Sequence, residues 1–120
     1  MNFLLVGAGG ALGAILRYSI GQIPYRGDFP ALTLVTNLLG AFLIGFISGA
    51  AEKKGLSDNL VLFLKTGVCG GFTTFSTFSL ESYKLIQSNH LILSIIYIVL
   101  SVGLCLAGVF LGMLLAKKIL

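Results

Sequence analysis

The sequence predicts an all-α integral membrane protein with four transmembrane helices, the third of which is broken. Only 10% of its residues are charged, whereas a soluble domain carries roughly 25% because its surface must face water. Four apolar stretches are each long enough to cross a hydrocarbon core of ~30 Å. The third stretch contains adjacent glycines and a run of hydroxyl residues, which disfavour a continuous helix.

The four predicted spans fill the chain as one transmembrane domain, residues 1–120. They cover about residues 2–23, 32–50, 59–86 and 91–116, and the polar loops between them are short. Short loops make successive helices antiparallel, so the two termini and the second loop are expected on one face of the membrane. The basic residues of that face are Lys53, Lys54, Lys117 and Lys118, and the other face has Arg26 and Lys84. Such a weak bias permits insertion in either orientation.

Glycine pairs four residues apart occur in three of the spans. They are Gly9 and Gly13, Gly45 and Gly49, and Gly108 and Gly112. In lipid, helices associate by close packing, and glycine lets their backbones approach. We therefore expect a tightly packed bundle that associates into an oligomer.

The third span carries the motif GVCGGFTTFSTFS at residues 67–79. Inside a bilayer every freed backbone group needs a partner, so a broken helix persists only where its groups face protein, water or an ion. Broken helices at this depth form ion sites in transporters. The alternative is a kink whose polar groups are satisfied by neighbouring helices.

Aromatic and polar side chains share faces of the predicted helices. Phe75 and Phe78 are three residues apart, as are Ser76 and Ser79, and each pair shares a helix face. The edge of a phenyl ring is weakly positive, so two rings presented edge-on suit an anion; the alternative is that both rings face lipid or fill the core. Asn37 in the second span either donates a hydrogen bond to that anion or joins two helices.

Further polar residues lie in the first and fourth spans. Tyr97, Ser101 and Cys105 recur every four residues and form one polar stripe. Arg17 either extends to the interface or gives an anion vestibule its positive field. Glu81, at the end of the third span, is expected at the interface, with a proton relay as the alternative.

Nucleic-acid binding and catalysis are not predicted. The basic residues occur singly or in pairs between apolar runs, which is typical of membrane-interface anchors and not of a phosphate-binding patch. The sequence has no nucleophile–base pair, metal-ligand cluster or phosphate-binding loop in a suitable context. We expect a protein that is not an enzyme.

Three motifs together resemble the Fluc (CrcB) family of bacterial fluoride channels. They are Gly9-Gly10-x-x-Gly13-Ala14-x-x-Arg17-Tyr18, Thr33-Leu34-x-x-Asn37-x-x-Gly40, and the run from Gly70 to Phe78. The resemblance implies a passive fluoride-selective channel in the bacterial inner or plasma membrane that lowers cytoplasmic fluoride by efflux. It also implies an antiparallel, dual-topology homodimer with two pores at the subunit interface.

The resemblance further implies roles for individual residues. The implied pore residues are Phe75, Phe78, Asn37, Ser76, Ser79, Tyr97 and Ser101, with the phenylalanine ring edges and the asparagine amide facing fluoride. Cys105 stands where the family commonly has a serine, and it is grouped with Arg17 and Thr33 as a vestibule or structural residue. The backbone carbonyls of Gly70 and Thr73 would hold a central Na⁺ that is structural and not transported.

Two other functions remain open from the residues alone. A small proton-coupled multidrug-type exporter has the same size and span number, but it needs a carboxylate deep in the first span, where this chain has only Arg17. A non-conducting membrane assembly subunit would use the glycine faces for partner contacts. The sequence also leaves open whether the chain pairs with itself or with a sister subunit.

Overall fold

The computed structural model describes residues 1–120, which form helices joined by short loops. The first two spans are α1 (Asn2–Gly21) and α2 (Ala31–Lys54). The third span, Asp58–Gln87, consists of α3 (Asp58–Val61), a π-helical segment (Leu62–Cys69), α4 (Gly70–Phe72) and α5 (Phe75–Gln87). The fourth span is α6 (Leu91–Ile119). All four are long and apolar enough to cross a membrane, which confirms the predicted all-α membrane fold.

The second loop is set by two capping residues. Gly55 ends α2 in the left-handed conformation, with φ of 66°, and its amide donates to the carbonyl of Ala51. Glycine suits this position because it has no Cβ to clash. The hydroxyl of Ser57 then accepts a hydrogen bond from the amide of Leu60 and starts α3.

Helices α2 and α6 pack face to face along their glycines. A Cβ added at Gly112 would lie 2.8 Å from the amide nitrogen of Phe46, and one at Gly49 would lie 2.9 Å from the carbonyl oxygen of Met113. Neither position has room for a larger residue. These contacts confirm that the glycine pairs of the second and fourth spans mark a close helix interface.

Helix α1 packs in the same way against the π-helical segment and α4. A Cβ at Gly9 would lie 2.5 Å from the carbonyl oxygen of Phe63, and one at Gly13 would lie 2.7 Å from the amide nitrogen of Phe72.

The π-helical turns were not predicted from the sequence. They are rare because they widen the helix, and they occur frequently at functional sites.

The break in the third span lies at Thr73 and Thr74. Both residues are extended, with φ and ψ of −84° and 156° at Thr73 and of −148° and 117° at Thr74. Gly70 and Gly71 remain helical. The predicted interruption within residues 67–79 is therefore confirmed, and it lies two residues after the glycine pair, in the run of hydroxyl residues.

Candidate functional site

The break redirects two backbone amides away from the carbonyl oxygens that they would meet in a continuous helix. A continuing α-helix would direct the amide of Thr74 to the carbonyl of Gly70, and that of Thr77 to the carbonyl of Thr73. Instead, the Thr74 amide donates to Asn37 Oδ1 at 2.8 Å, and the Thr77 amide donates to Thr74 Oγ1 at 3.2 Å. The carbonyls of Gly70 and Thr73, which the family resemblance implies as ligands of a cation, thus lose these helical donors.

Asn37 holds the broken segment against α2. Besides accepting from the Thr74 amide, it donates from Nδ2 to the Thr74 carbonyl at 3.1 Å. Its side-chain amide therefore pairs with both the backbone N–H and the backbone C=O of Thr74. A primary amide has two N–H donors, so the second N–H of Asn37 remains available to a ligand.

Arg17 anchors α1 to the same region from the other side. Its Nε donates to the carbonyl oxygen of Gly71 at 3.2 Å. Arg17 and Thr33 both line a depression of about 290 Å³ that also reaches Thr74 and Gln22. This depression lies beside the first loop and contains the guanidinium group of Arg17.

An open groove of about 610 Å³ runs between α2, the third span and α6. It brings together most of the side chains and carbonyls that the sequence pointed to. The predicted residues in its wall are Asn37, Gly70, Thr73, Phe75, Phe78, Ser101 and Cys105. Asn37 and Ser101 are distant in sequence and lie in the same wall because α2 packs against α6.

A row of aromatic rings leads from the groove into the protein. The ring centroids of Phe75 and Phe78 are 5.5 Å apart with a 51° tilt, and those of Phe78 and Tyr97 are 5.1 Å apart. Phe29 meets Tyr97 edge-on at 5.5 Å. Phe75 is 78% exposed whereas Phe78 is 9% exposed, so the row begins at an open ring and continues into a packed one.

Ser101 carries the one buried side-chain polar atom that has no hydrogen-bond partner. The residue is 6% exposed and lies in the groove wall with Phe75 and Phe78. Leaving a buried hydroxyl unpaired costs about 1–3 kcal/mol, so native proteins rarely keep one without a reason. A ligand that accepts hydrogen bonds in the groove would provide that reason.

Three of the predicted pore residues lie outside the groove wall. Tyr97 is fully buried, and its hydroxyl donates to Glu81 Oε1 at 3.2 Å. Ser76 and Ser79 are exposed on α5, and the hydroxyl of Ser76 lies 3.4 Å from that of Thr74. The stripe of Tyr97, Ser101 and Cys105 is therefore divided, because its first member is covered by α5 whereas the other two line the groove.

Sequence reasoning assigned no role to two further residues of this region. Thr74 caps α5 and pairs with Asn37. Lys65 lines the groove as its one charged residue. The available signal was the presence of a lysine within an apolar span, since such residues usually face a water-filled cavity.

Comparison with known proteins identifies relatives along nearly the whole chain. The profile of the family described as "CrcB-like protein, Camphor Resistance (CrcB)" matches residues 4–113. The chain is 46% identical to a protein of Ruminiclostridium cellulolyticum named fluoride-specific ion channel FluC, over 99% of this chain and 95% of the relative. Proteins of the same name from Ignicoccus hospitalis (45% identical, 96% and 94% covered) and Rhizobium meliloti (46%, 97% and 96%) are also similar.

Proposed function

This chain belongs to the CrcB-like family, and on that basis we propose that it is a fluoride-selective channel that lets fluoride leave the cytoplasm passively. It is a multi-pass membrane protein, and its family consists of transporters and not of enzymes. Family membership favours a channel over the exporter and the assembly subunit that the residues alone left open. The structural observation that carries the proposal is the buried, unpaired hydroxyl of Ser101 in a groove lined by two phenylalanine rings.

The groove has the donors that a fluoride path requires. Fluoride is compact and strongly hydrated, so a pore must replace many hydrogen bonds without holding the ion too tightly. The free N–H of Asn37 and the hydroxyl of Ser101 are neutral donors. The ring edges of Phe75 and Phe78 add weak positive potential. Each of these interactions is modest, which favours passage over retention.

A second, antiparallel copy would close the groove. Phe75 is largely exposed at its open side, and a ring that lines an ion path needs a wall opposite to it. The small difference in basic residues between the two faces allows both orientations in one membrane. Two copies related in this way would enclose two equivalent paths at their interface.

The carbonyls of Gly70 and Thr73 suit the Na⁺ that the family resemblance implies. Both lose their helical donors at the break, and carbonyl oxygens at broken helices are the ligands that Na⁺ receives in transporters. Two copies would offer four such oxygens. The bound cation would supply a fixed positive charge at mid-membrane, and in our proposal it is structural and not transported.

Flux measurements on reconstituted protein test this function. Liposomes loaded with KF and KCl are expected to lose fluoride and retain chloride, as followed by ion-selective electrodes. Phe75→Ile and Phe78→Ile should abolish fluoride efflux while the protein still assembles as judged by size exclusion. Phe110→Ile is the matched control, because Phe110 is 63% exposed on α6 and outside the groove. Full efflux through both groove variants would refute the assigned path.

A further inference from the structure

The groove contains a single charged side chain, that of Lys65. Lys65 lies in the π-helical segment, about two helical turns along the span from Asp58. A lysine at this depth is unfavourable in lipid unless its ammonium group faces water or a partner, and such residues mark ion pathways. Its side chain is exposed and opens on the groove.

The ammonium group of Lys65 has no bonded partner within the chain, although its charge acts on the carboxylate of Glu52. It makes no ion pair and no side-chain hydrogen bond, whereas the nearby carboxylate of Glu52 is paired with the ammonium of Lys117 at 2.8 Å. A structural lysine in a span would be expected to have a fixed carboxylate or carbonyl partner. The positive charge is therefore available to a mobile anion.

Lys65 also lies where the groove meets the second loop. Together with Thr66 it lines both the groove and a separate depression of about 480 Å³, whose other residues include Glu52 and Asp58. Lys65 and Thr66 therefore lie between the groove and the depression beside the second loop. Arg17 has the corresponding place beside the first loop, but its Nε is already bonded to Gly71.

We propose that Lys65 attracts fluoride to the groove from the side of the second loop and raises the rate at which the ion enters. This inference rests on the proposed channel function. A flexible ammonium at the mouth of a cleft raises the local anion concentration without a fixed binding geometry. At roughly 8 Å and an effective dielectric constant of about 40–80, Coulomb's law corresponds to roughly a two- to six-fold rise in anion occupancy.

The test compares fluoride efflux at low and high ionic strength, set with an impermeant salt such as potassium isethionate. Screening extends over about 30 Å at 0.01 M but only about 3 Å at 1 M. We expect Lys65→Gln to reduce efflux roughly two- to six-fold at low ionic strength and to match wild type at high ionic strength. Lys65→Arg should show the wild-type efflux rate at both ionic strengths, because it keeps the positive charge. Lys54→Gln, an exposed charge on the same face and outside the groove, controls for net charge and orientation.

The outcomes separate this inference from the function on which it rests. If the wild type conducts and Lys65→Gln equals it at low ionic strength, the role of Lys65 is refuted and the channel stands. Loss of efflux that is equal at both ionic strengths would show a structural role and would also overturn the inference. If the wild type itself releases no fluoride, both proposals fail.

Discussion

Replacing Ser101 with alanine should change stability and conduction in opposite ways. The hydroxyl is buried and unpaired, so the folded protein already bears a desolvation cost of about 1–3 kcal/mol for it. Alanine removes that cost and leaves the packing of the backbone unchanged. We therefore expect the free energy of unfolding of Ser101→Ala to equal or exceed that of wild type.

Conduction should fall in the same variant. If the hydroxyl donates to fluoride in the groove, its loss removes one hydrogen bond with a net value of about 0.5–1.5 kcal/mol. Since 1.4 kcal/mol corresponds to a factor of ten in rate, fluoride efflux should drop roughly two- to ten-fold. Electrode-monitored efflux from liposomes measures the rate, and unfolding in mixed detergent micelles measures the stability.

Ser94→Ala is the matched control on the same helix. Ser94 is buried, as Ser101 is, but its hydroxyl donates to the Ser82 carbonyl at 2.9 Å. Its replacement should lower the free energy of unfolding by about 0.5–1.5 kcal/mol and leave the efflux per folded protein near wild type. The reasoning would be refuted if Ser101→Ala lost as much stability as Ser94→Ala, or if it conducted at the full rate.

Three further predictions concern packing, the break and the cation. Gly9→Ala should destabilise the protein by about 1–3 kcal/mol, because the added Cβ would clash with the Phe63 carbonyl. Gly7→Ala on the same helix is the control: its Cβ would contact nothing, so its free energy of unfolding in detergent should equal or exceed that of wild type. Asn37→Leu removes two hydrogen bonds to Thr74, a loss of roughly 1–3 kcal/mol, so hydrogen exchange at the Thr74 amide should accelerate; unchanged exchange would contradict the bridging role. Exchanging Na⁺ for N-methylglucamine should shift the protein from dimer to monomer in size exclusion, and an unaffected dimer would argue against a structural cation.

The number and type of the spans could be predicted from the sequence because the hydrophobic signal is local and additive. A run of about twenty apolar residues identifies each span, whatever the rest of the sequence is. The glycine pairs likewise indicated close packing, and the structure places Gly45, Gly49, Gly108 and Gly112 at one helix interface. The hydroxyl-rich motif predicted a broken third helix, since its composition opposes helix locally.

The position of the break required tertiary structure. Gly70 and Gly71 have the lower helix propensity, yet they remain helical because the turn before them packs against the glycines of α1. The chain opens instead at Thr73 and Thr74, where the side chain of Asn37 replaces the lost backbone partners. A distant residue thus outweighs local propensity, because an unsatisfied amide in a membrane costs more than a glycine in a helix.

The sequence by itself determined that this chain resides in a bilayer, crosses it four times and interrupts its third crossing. Only the folded structure decided which polar groups share a cavity. Tyr97 and Ser101 lie one turn apart on α6, yet the first is covered and hydrogen-bonded to Glu81, whereas the second lines the groove and its hydroxyl has no partner. Helix periodicity determines which residues share a face. Contacts between segments distant in sequence determine which part of that face another helix covers.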